Sequence, residues 1–299
     1  MNHLIEKANV LVEALPYIQR FFGETIVIKY GGAAMIDEKL KNMVMLDIVL
    51  LKDIGLNPVI IHGGGPEITR MLKKVGKETQ FVNGLRITDD ETMEIAEMIL
   101  SGKINKDIVA LINKSGGRAV GLSGKDANLI TATKHMATVK KSDGNGGMIE
   151  EPIDIGFVGD VESINPEIIN VLNKEGYIPV ISSVGAGQDG KGYNINADIA
   201  AGEIARALNA KKLIMLTDVE GIFERFGDET TLISTLNLGE AHILLNSGKL
   251  EGGMLPKLQA CITAVKAGVS RAHIIDGRKP HSILLEIFTH EGIGTMVVA

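Results

Sequence analysis

The sequence predicts an α/β fold in which a largely parallel sheet is covered by helices on both faces. Apolar runs of strand length alternate with segments of helical apolar spacing along most of the chain. Glycines follow several of these runs, where strand-to-helix turns are expected. The 299 residues are 45% hydrophobic, which is enough to bury a core in one large domain or two lobes.

The first third of the chain begins with a segment of helical apolar spacing at 1–22, which Pro16 is expected to kink or break. Apolar runs that end at a lysine and at three glycines indicate the first two strands. The elements expected here are strand 25–30, a helix within 37–54, strand 58–62, a helix within 66–75, and helices 89–100 and 103–113.

The middle of the chain is predicted to be rich in strands, with runs at 119–122 and 129–133 and a glycine-rich hairpin loop at 143–147. Alternation of helices and strands then resumes. The remaining elements are expected at helix 166–175, strand 178–182, a glycine-rich loop 185–192, helix 197–208, strand 212–216, helices 239–246 and 256–267, strand 271–275, helix 282–288 and strand 294–298.

Composition and charge exclude several classes of protein. There are 31 basic and 37 acidic residues. The chain has no run of lysines or arginines of the kind that would indicate a nucleic-acid-binding surface. Cys261 is the only cysteine, so an intrachain disulfide is impossible and a reducing compartment is expected. No apolar stretch reaches the ~18 residues that span a bilayer. We therefore expect a cytoplasmic enzyme without nucleic-acid or membrane partners.

Two glycine-rich turns point to phosphate chemistry. Lys29 ends the first strand and is followed by Gly31 and Gly32, and the second strand ends at Gly63–Gly65 before Pro66 begins a helix. Glycines let backbone N–H groups approach an anion closely, and a helix start adds a favourable partial charge. A lysine beside two such turns indicates a site that faces a phosphoryl group.

A second unusual lysine, Lys257, follows Pro256 in what should be the first turn of a helix. A cation at this position opposes the helix dipole, and an anionic ligand would explain its placement. Asn194, Asn196 and Asp198 alternate just before another helix. One of the three is expected to cap that helix, which leaves the others to orient lysines or bind a polar substrate.

Two further segments are candidates for a ligand pocket. Thr217, Asp218 and Gly221 follow a strand and would lie at the carboxyl edge of the sheet. Arg86 lies among apolar residues, and its planar guanidinium suits a carboxylate, although a surface ion pair is the alternative. The histidines form no triad or metal-ligand spacing, and we expect His62 to play a structural or supporting role.

A dinucleotide-binding protein is the main competing interpretation. Residues 185–190 formally match G-x-G-x-x-G, and Asp218 could act as the ribose-binding acid. However, residues 191–196 separate the third glycine from the next helix, which the fingerprint does not allow. A P-loop is also unsupported, because Gly192 stands where a serine or threonine would hold magnesium.

Six motifs, in this order, resemble those of the N-acetylglutamate kinase family of the amino-acid kinase superfamily over essentially the whole chain. They are IKYGGA (28–33), IHGGGP (61–66), NGLRIT (83–88), YNINAD (193–198), LTDVEG (216–221) and GGMLPK (252–257). The resemblance implies an αβα sandwich of the amino-acid kinase fold. It implies an N-terminal extension helix at 1–22, an acyl-amino-acid lobe at 23–180 and an ATP lobe at 181–299 in one continuous domain.

The resemblance also assigns roles. Lys29 and Lys257 would stabilise the transition state, and Asp198 would hold them in place. Substrate would contact Gly64, Gly65, Arg86, Asn194 and Asn196. Phosphate or nucleotide would contact Gly31, Gly32, Gly63, Thr217, Asp218 and Gly221. Mg²⁺ would be coordinated chiefly by the phosphates of ATP, with no protein ligand.

The implied reaction needs no general base, because a γ-carboxylate with a pKa of about 4.3 is already ionised at neutral pH. Charge stabilisation by lysines, glycine N–H groups and Mg²⁺ then carries the phosphoryl transfer. A non-catalytic sensor and a nicotinamide-dependent oxidoreductase remain as alternatives, but neither calls for two lysines facing glycine turns. Aspartate, glutamate, carbamate and uridylate kinases, and a kinase for the longer acylated homologue, stay open within the superfamily.

Both ends of the chain resemble the arginine-inhibited members of the family. There, an N-terminal helix interlaces between dimers to build a hexamer, a trimer of dimers. In the segment 281–294, Glu286 and Gly292 match positions that hold the effector, and Lys212 is a further candidate. The resemblance therefore implies feedback inhibition by arginine, with a helix folded onto its own core as the alternative for residues 1–22.

Overall fold

The computed structural model describes residues 2–142, 148–225, 228–250, 253–289 and 292–299. The expected hairpin loop at 143–147 and the first glycine of the 252–257 motif lie outside these described residues. The described residues form the expected alternation of strands and helices.

The strands are, in chain order, β1 (Thr25–Tyr30), β2 (Asn57–His62), β3 (Phe81–Val82), β4 (Leu85–Arg86), β5 (Ala119–Ser123), β6 (Ile130–Ser142), β7 (Met148–Ile164), β8 (Ile178–Ser182), β9 (Val184–Gly187), β10 (Gly192–Ile195), β11 (Lys212–Thr217), β12 (Thr235–Asn237), β13 (Arg271–Asp276) and β14 (Thr295–Val298). The helices are α1 (Asn2–Phe21), α2 (Glu38–Asp53), α3 (Gly65–Lys74), α4 (Asp90–Glu97), α5 (Asn105–Lys114), α6 (Glu167–Lys174), α7 (Ala197–Ala207), α8 (Leu238–Asn246), α9 (Met254–Lys266) and α10 (Ser282–Phe288).

The central sheet has eight strands in the order β12-β14-β13-β11-β1-β2-β8-β5. All neighbours are parallel except β13 and β14, which confirms the largely parallel sheet. Because parallel strands share one carboxyl edge, Lys29, His62 and Thr217 come to that edge from three different strands. The sheet thus brings together residues that lie far apart in the sequence.

Alternate side chains of β1 pack into two separate hydrophobic cores, one on each face of the sheet. Val27 packs into the core that includes Ile204 of α7 and Leu258 of α9. Ile26 and Ile28 pack into the core on the opposite face. This period-2 alternation, with helices on both faces, produces the three-layer αβα sandwich.

The second sheet was not predicted in full. Strands β6, β7, β9 and β10 close into a small barrel. The predicted loop 185–192 instead contains most of β9 and the first residue of β10, and only the turn between them is a loop. A Cβ on Gly185 would lie 2.6 Å from Ile195 Cδ1, and one on Gly187 would lie 2.5 Å from Tyr193 Cε2. These glycines allow close strand packing, so the dinucleotide-binding interpretation of 185–190 is wrong.

The N-terminal helix differs from expectation at Pro16. Helix α1 continues through this residue and does not break there. Proline removes the N–H that would bond to the carbonyl of Val12, but Val12 is 66% exposed, so water can donate to that carbonyl instead. No helix among the described residues is long and apolar enough to cross a membrane.

Helices α4 and α5 are joined without an intervening loop. A π-helical segment, Met98–Ile104, connects them. Such segments replace the regular i→i+4 bonding of an α-helix and often occur at functional sites. Here it carries Leu100, Lys103 and Ile104, which line the cavity described below.

A buried carboxylate on α2 makes stability depend on pH. Asp47 is 1% exposed, its Oδ1 lies 2.6 Å from Nδ1 of His281, and its Oδ2 has no hydrogen-bond partner among the described residues. Burial raises the pKa of Asp47 from 3.8 to about 6, against the opposing effect of His281. The folded protein therefore holds this proton more tightly than the unfolded chain does.

A raised carboxyl pKa contributes stability below pH ~4 that is lost as the pH rises through about 6. We expect Asp47→Asn to gain up to about 3 kcal/mol in unfolding free energy over the wild type between pH 4 and pH 7. Urea unfolding at both pH values measures this difference. Asp53→Asn, an exposed acid at the end of the same helix, is the control. A difference that does not change with pH would contradict the prediction.

Candidate active site

Two lysines far apart in the chain bind the same buried carboxylate. Lys29 Nζ lies 2.9 Å from Asp198 Oδ1, and Lys257 Nζ lies 2.8 Å from Asp198 Oδ2. Asp198 is 5% exposed and Lys29 is 8% exposed. The sequence singled out these three residues, and the structure brings them together.

The local fold explains this meeting. Asn196 caps α7, because its Oδ1 accepts hydrogen bonds from the N–H groups of Asp198 and Ile199, at 2.8 and 3.3 Å. Asp198 is thereby fixed in the first turn of α7. Helix α9 approaches α7 closely because Gly202 has no side chain: a Cβ there would lie 2.9 Å from the carbonyl oxygen of Ala260. The first turn of α9 thus brings Lys257 to Asp198.

The three charges do not cancel. Burial favours the neutral form of Asp198, but the Coulombic attraction of Lys29 and Lys257 and their hydrogen bonds outweigh it, so the pKa of Asp198 is lowered. The carboxylate is ionised, and two ammonium groups face it. A net positive charge in a buried site favours an anionic ligand.

The glycine turns lie around Lys29. A Cβ on Gly31 would lie 2.5 Å from Lys29 Nζ, and Gly32 adopts a positive φ of 69° beside the Asp218 carboxylate, where any side chain would overlap. Gly64 precedes α3 and packs against Ile104. Both turns present backbone with no side chain to screen it, as an approaching phosphate requires.

A cavity of about 500 Å³ joins these parts. Lys29 and Asp198 lie in its wall. The other predicted site residues that line it are Gly31, Gly32, Gly63, Gly64, Gly65, Arg86, Asn194, Asn196 and Asp218. Its apolar lining includes Leu85, Leu100, Ile104 and Val158, of which only Leu85 falls within a sequence motif. Leu100 and Ile104 come from the π-helical segment and Val158 from β7 of the barrel, and no sequence motif pointed to these three residues.

Arg86 is buried and is not a surface ion pair. Its Nη2 donates to the carbonyl of Gly65 and to Thr69 Oγ1, both at 2.9 Å. Its guanidinium lies 4.9 Å from the centre of the Phe81 ring. Its Nη1 is buried without a hydrogen-bond partner among the described residues. Since Arg86 lines the cavity, this arrangement suits a carboxylate ligand.

Three predicted nucleotide residues lie at the neighbouring strand end. The carbonyl of Thr217 accepts a hydrogen bond from Gly277 N–H, at 2.8 Å. Gly221 packs against the last strand, where a Cβ would lie 2.6 Å from Thr295 Oγ1. Asp218 lines the cavity, whereas Thr217, Gly221 and Lys257 are not part of its lining. Nucleotide contact by these residues stays a prediction.

The three predicted effector residues also come together. Lys212 Nζ lies 3.2 Å from His273 Nε2, and His273 Nδ1 lies 2.6 Å from Glu286 Oε1. Gly292 has a positive φ of 65° and lies against Glu286. Burial lowers the pKa of Lys212 to about 8, against the opposing effect of Glu286. The sequence did not single out His273.

No group of three or more metal-ligating side chains occurs in the ranges that the structure describes. The donors around the cavity are ammonium groups, a guanidinium and backbone N–H groups, which suit phosphates and carboxylates. The acidic side chains that line the cavity belong to no such group, so they do not build a complete Mg²⁺ site among the described residues. A magnesium ion that arrives with nucleotide phosphates fits this donor set.

Comparison with known proteins agrees with the fold. Residues 24–276 match the amino acid kinase family. The acetylglutamate kinase of Caldanaerobacter subterraneus subsp. tengcongensis is 59% identical over 293 residues, which are 98% of this chain and 93% of that protein. The acetylglutamate kinase of Heliobacterium modesticaldum is 54% identical over 298 residues, which span the full length of both proteins.

Solved structures extend the comparison. N-acetylglutamate synthase from Neisseria gonorrhoeae, complexed with coenzyme A and N-acetyl-glutamate, has a TM-score of 0.81 and 26% identity, over 98% of this chain and 63% of the synthase chain. Carbamate kinase from Giardia lamblia, at 17% identity and a TM-score of 0.62 over 92% of this chain and 98% of that one, shares the fold. The chain therefore belongs to the amino acid kinase family, within its group of acetylglutamate kinases.

Proposed function

We propose that this enzyme transfers the γ-phosphoryl group of ATP to the γ-carboxylate of N-acetyl-L-glutamate, a step of arginine biosynthesis by the acetylated route that takes place in the cytoplasm. The observation that carries the proposal is the binding of Lys29 and Lys257 to the buried carboxylate of Asp198, beside a cavity that Arg86 lines. The curated relatives are kinases named for this acyl amino acid.

The residues supply charge and position rather than a base. The attacking carboxylate is already ionised at neutral pH, so its obstacle is repulsion from the phosphates. Lys29 and Lys257 neutralise charge on the transferring group, and Asp198 keeps the two ammonium groups at one place. Backbone N–H groups of the two glycine turns donate to phosphoryl oxygens. Mg²⁺, bound to the nucleotide phosphates, further reduces their charge when present.

Other residues that line the cavity orient the substrate. The free Nη1 of Arg86 can donate to the α-carboxylate, while its Nη2 stays bound to the loop that begins α3. Asn194 and Asn196 line the same cavity and can bind polar atoms of the acylamino group. Leu85 and Val158 supply apolar surface for the acyl methyl group. A free α-carboxylate is thus part of the recognised substrate, which argues against carbamate and uridylate.

A substrate series tests the assignment. ATP consumption with hydroxylamine trapping of the acyl phosphate should show turnover of N-acetylglutamate above that of N-acetylaspartate, N-acetyl-α-aminoadipate and free glutamate. The α-amide of N-acetylglutamate should react poorly, because it cannot bind Arg86 as an anion. If free glutamate or a shorter or longer acyl amino acid is the best substrate, the assignment of N-acetylglutamate is wrong.

Loss of one lysine should expose the electrostatic mechanism. We expect Lys257→Ala to lower kcat by about 10²–10³, or about 3–4 kcal/mol, as found for the loss of one preorganised donor. Steady-state assays of purified protein measure this effect. Lys266→Ala, in the last turn of the same helix, is the matched control and should retain normal activity. A Lys257→Ala enzyme with near-normal turnover would remove this residue from the mechanism.

We further propose that arginine inhibits the enzyme at the cluster of Lys212, His273 and Glu286. A buried carboxylate suits a guanidinium, and a lysine suits a carboxylate, so the two ends of arginine match the two ends of this cluster. The cluster begins at the amino end of β11, away from the catalytic carboxyl edge. It lies beside α1, since the Phe21 ring centre is 5.3 Å from Lys212 Nζ.

Helix α1 is the proposed oligomerisation element. Its last turns dock on the core through buried Phe21 and through Tyr17, which meets Phe288 of α10 edge to face at 6.3 Å. Its earlier apolar side chains are exposed, as Leu4, Leu11 and Val12 are 64%, 74% and 66% accessible. Such an apolar face is typical of a protein interface. Pairing of these helices between dimers would give a hexamer, and arginine could act through the joint between α1 and α10.

A charge-removing variant tests the regulation. We expect arginine to inhibit the wild type and Glu286→Gln to raise the inhibitory concentration by about 10-fold or more, because a charge-assisted hydrogen bond is lost. Activity without arginine should be unchanged. The control is Glu203→Gln, which breaks a surface pair with Arg206. Light scattering gives the oligomeric state. A dimer whose activity arginine does not inhibit would reject both the inhibition by arginine and the hexamer.

A further inference from the structure

The His62 imidazole is held in one orientation behind the glycine turn. His62 is 0% exposed, and its ring nitrogens each have one neighbour. Nδ1 lies 3.0 Å from the carbonyl oxygen of Gly63, and Nε2 lies 3.1 Å from Nδ2 of Asn105. The ring is not part of the cavity lining, although Gly63 and Gly64 are.

The surroundings of Asn105 fix the tautomer of this histidine. Asn105 is 0% exposed, and the carbonyl oxygens of Val180 and Leu122 lie 2.9 and 3.2 Å from its Nδ2, so these two oxygens and His62 Nε2 share its two hydrogens. Its Oδ1 accepts from Lys106 Nζ, at 3.0 Å. The amide nitrogen therefore faces the histidine, so Nε2 accepts and Nδ1 carries the proton that is donated to Gly63.

Charge supports the same neutral state. Burial lowers the pKa of His62 to about 4, the hydrogen bond to Gly63 opposes this, and the cations Lys106 and Lys29 lower it further. His62 thus stays neutral over the working pH range. It cannot exchange protons with a substrate, but it can hold a backbone carbonyl in place.

The orientation of that carbonyl decides where the next N–H points. The Gly63 carbonyl and the Gly64 N–H belong to one planar trans peptide and point in opposite directions. Because the carbonyl is bound to a ring outside the cavity, the Gly64 N–H faces the cavity side. It donates to no backbone carbonyl in the described part of the chain. Without the histidine, this glycine peptide could rotate freely.

The π-helical segment supplies the support for this arrangement. Asn105 follows the segment directly, and Ser101 within it lies 2.9 Å, Oγ to Oγ, from Ser182. Ser182 is also buried and is the direct strand partner of His62, from β8. The helix therefore binds the ends of two neighbouring strands, and only one of these contacts leads to the glycine turn.

We propose that His62, oriented by Asn105, is a positioning residue that aims the Gly64 N–H at the transferring phosphoryl group. This inference rests on the proposed phosphoryl transfer. The histidine touches no substrate and exchanges no proton. It acts by keeping one backbone donor preorganised for the transition state.

Kinetics of three variants test this role. His62→Leu should lower kcat by about 10- to 100-fold with little change in KM, because a displaced donor affects mainly the transition state. His62→Asn, which keeps an N–H near the position of Nδ1, should recover part of this loss. Ser182→Ala breaks the neighbouring buried contact and should retain kcat. None should change the shape of the kcat–pH profile.

Two kinetic outcomes would overturn the proposal. One is a folded His62→Leu enzyme with wild-type kcat, and the other is a Ser182→Ala enzyme that loses as much activity as His62→Leu. Circular dichroism establishes that each variant is folded. If His62→Leu does not fold, the kcat–pH profile of His62→Asn decides instead. Loss of one limb of that profile, as expected when a catalytic acid or base is removed, would overturn the proposal.

A second measurement is independent of the substrate. In ¹⁵N spectra of histidine-labelled wild-type protein, the signal lost in His62→Asn should show a protonated Nδ1 and a bare Nε2 from pH 5 to pH 8. A protonated Nε2, or titration near pH 6.5, would overturn the geometry. If the wild type phosphorylates no acyl amino acid, the proposed function is wrong. The ¹⁵N measurement does not depend on that outcome, because the tautomer alone shows whether His62 donates to the Gly63 carbonyl.

Discussion

The site depends on the burial of one carboxylate between two ammonium groups at the edge of a parallel sheet. Burying charge is expensive unless partners compensate it, and Asp198 has two cationic partners within 3 Å. The same arrangement leaves Lys29 and Lys257 with a surplus of positive charge. The carboxylate therefore does more than offset the lysines, because it holds two cations side by side that would otherwise repel each other. An anion that enters the cavity reduces this repulsion.

The surrounding structure follows from that requirement. Backbone must approach Lys29 closely without side chains in between, which Gly31 and Gly32 allow. Helices α7 and α9 must start near each other, which Gly202 allows by removing a side chain from their contact. The burial of His62 also has a chemical consequence. It keeps this imidazole neutral, with Lys106 and Lys29 adding to the effect, and this suits a reaction whose nucleophile is already an anion.

Much of the fold and the core of the site could be predicted from the sequence. The alternation of strands and helices, the two glycine turns and the unusual positions of Lys29 and Lys257 depend on residues that are close together in the sequence. Such features can be recognised from the sequence alone. The barrel could not be predicted in full, because glycines such as Gly185 and Gly187 occur both in loops and in closely packed strands. Their presence in the sequence does not distinguish the two. His273 and Asn105 were also missed: each acts through contacts with residues remote in sequence, and neither belongs to a motif. The expected break at Pro16 does not occur, because local propensity does not include the exposure of the carbonyl that the proline leaves unpaired.

Separation of the two charged clusters follows from the direction of a single strand. Lys212 begins β11 and Thr217 ends it, and Lys212 is level with Ile26 of β1, three positions before Lys29. At about 3.3 Å per residue, the two lysines are roughly 10 Å apart along the sheet. Both strands are buried, so this stretch is poorly suited to bend or slide. The contact between Tyr17 of α1 and Phe288 of α10 offers a route for a change at Lys212 that does not pass through these strands. The proposed arginine site at the amino edge and the proposed catalytic site at the carboxyl edge therefore belong to the same sheet without occupying the same cavity.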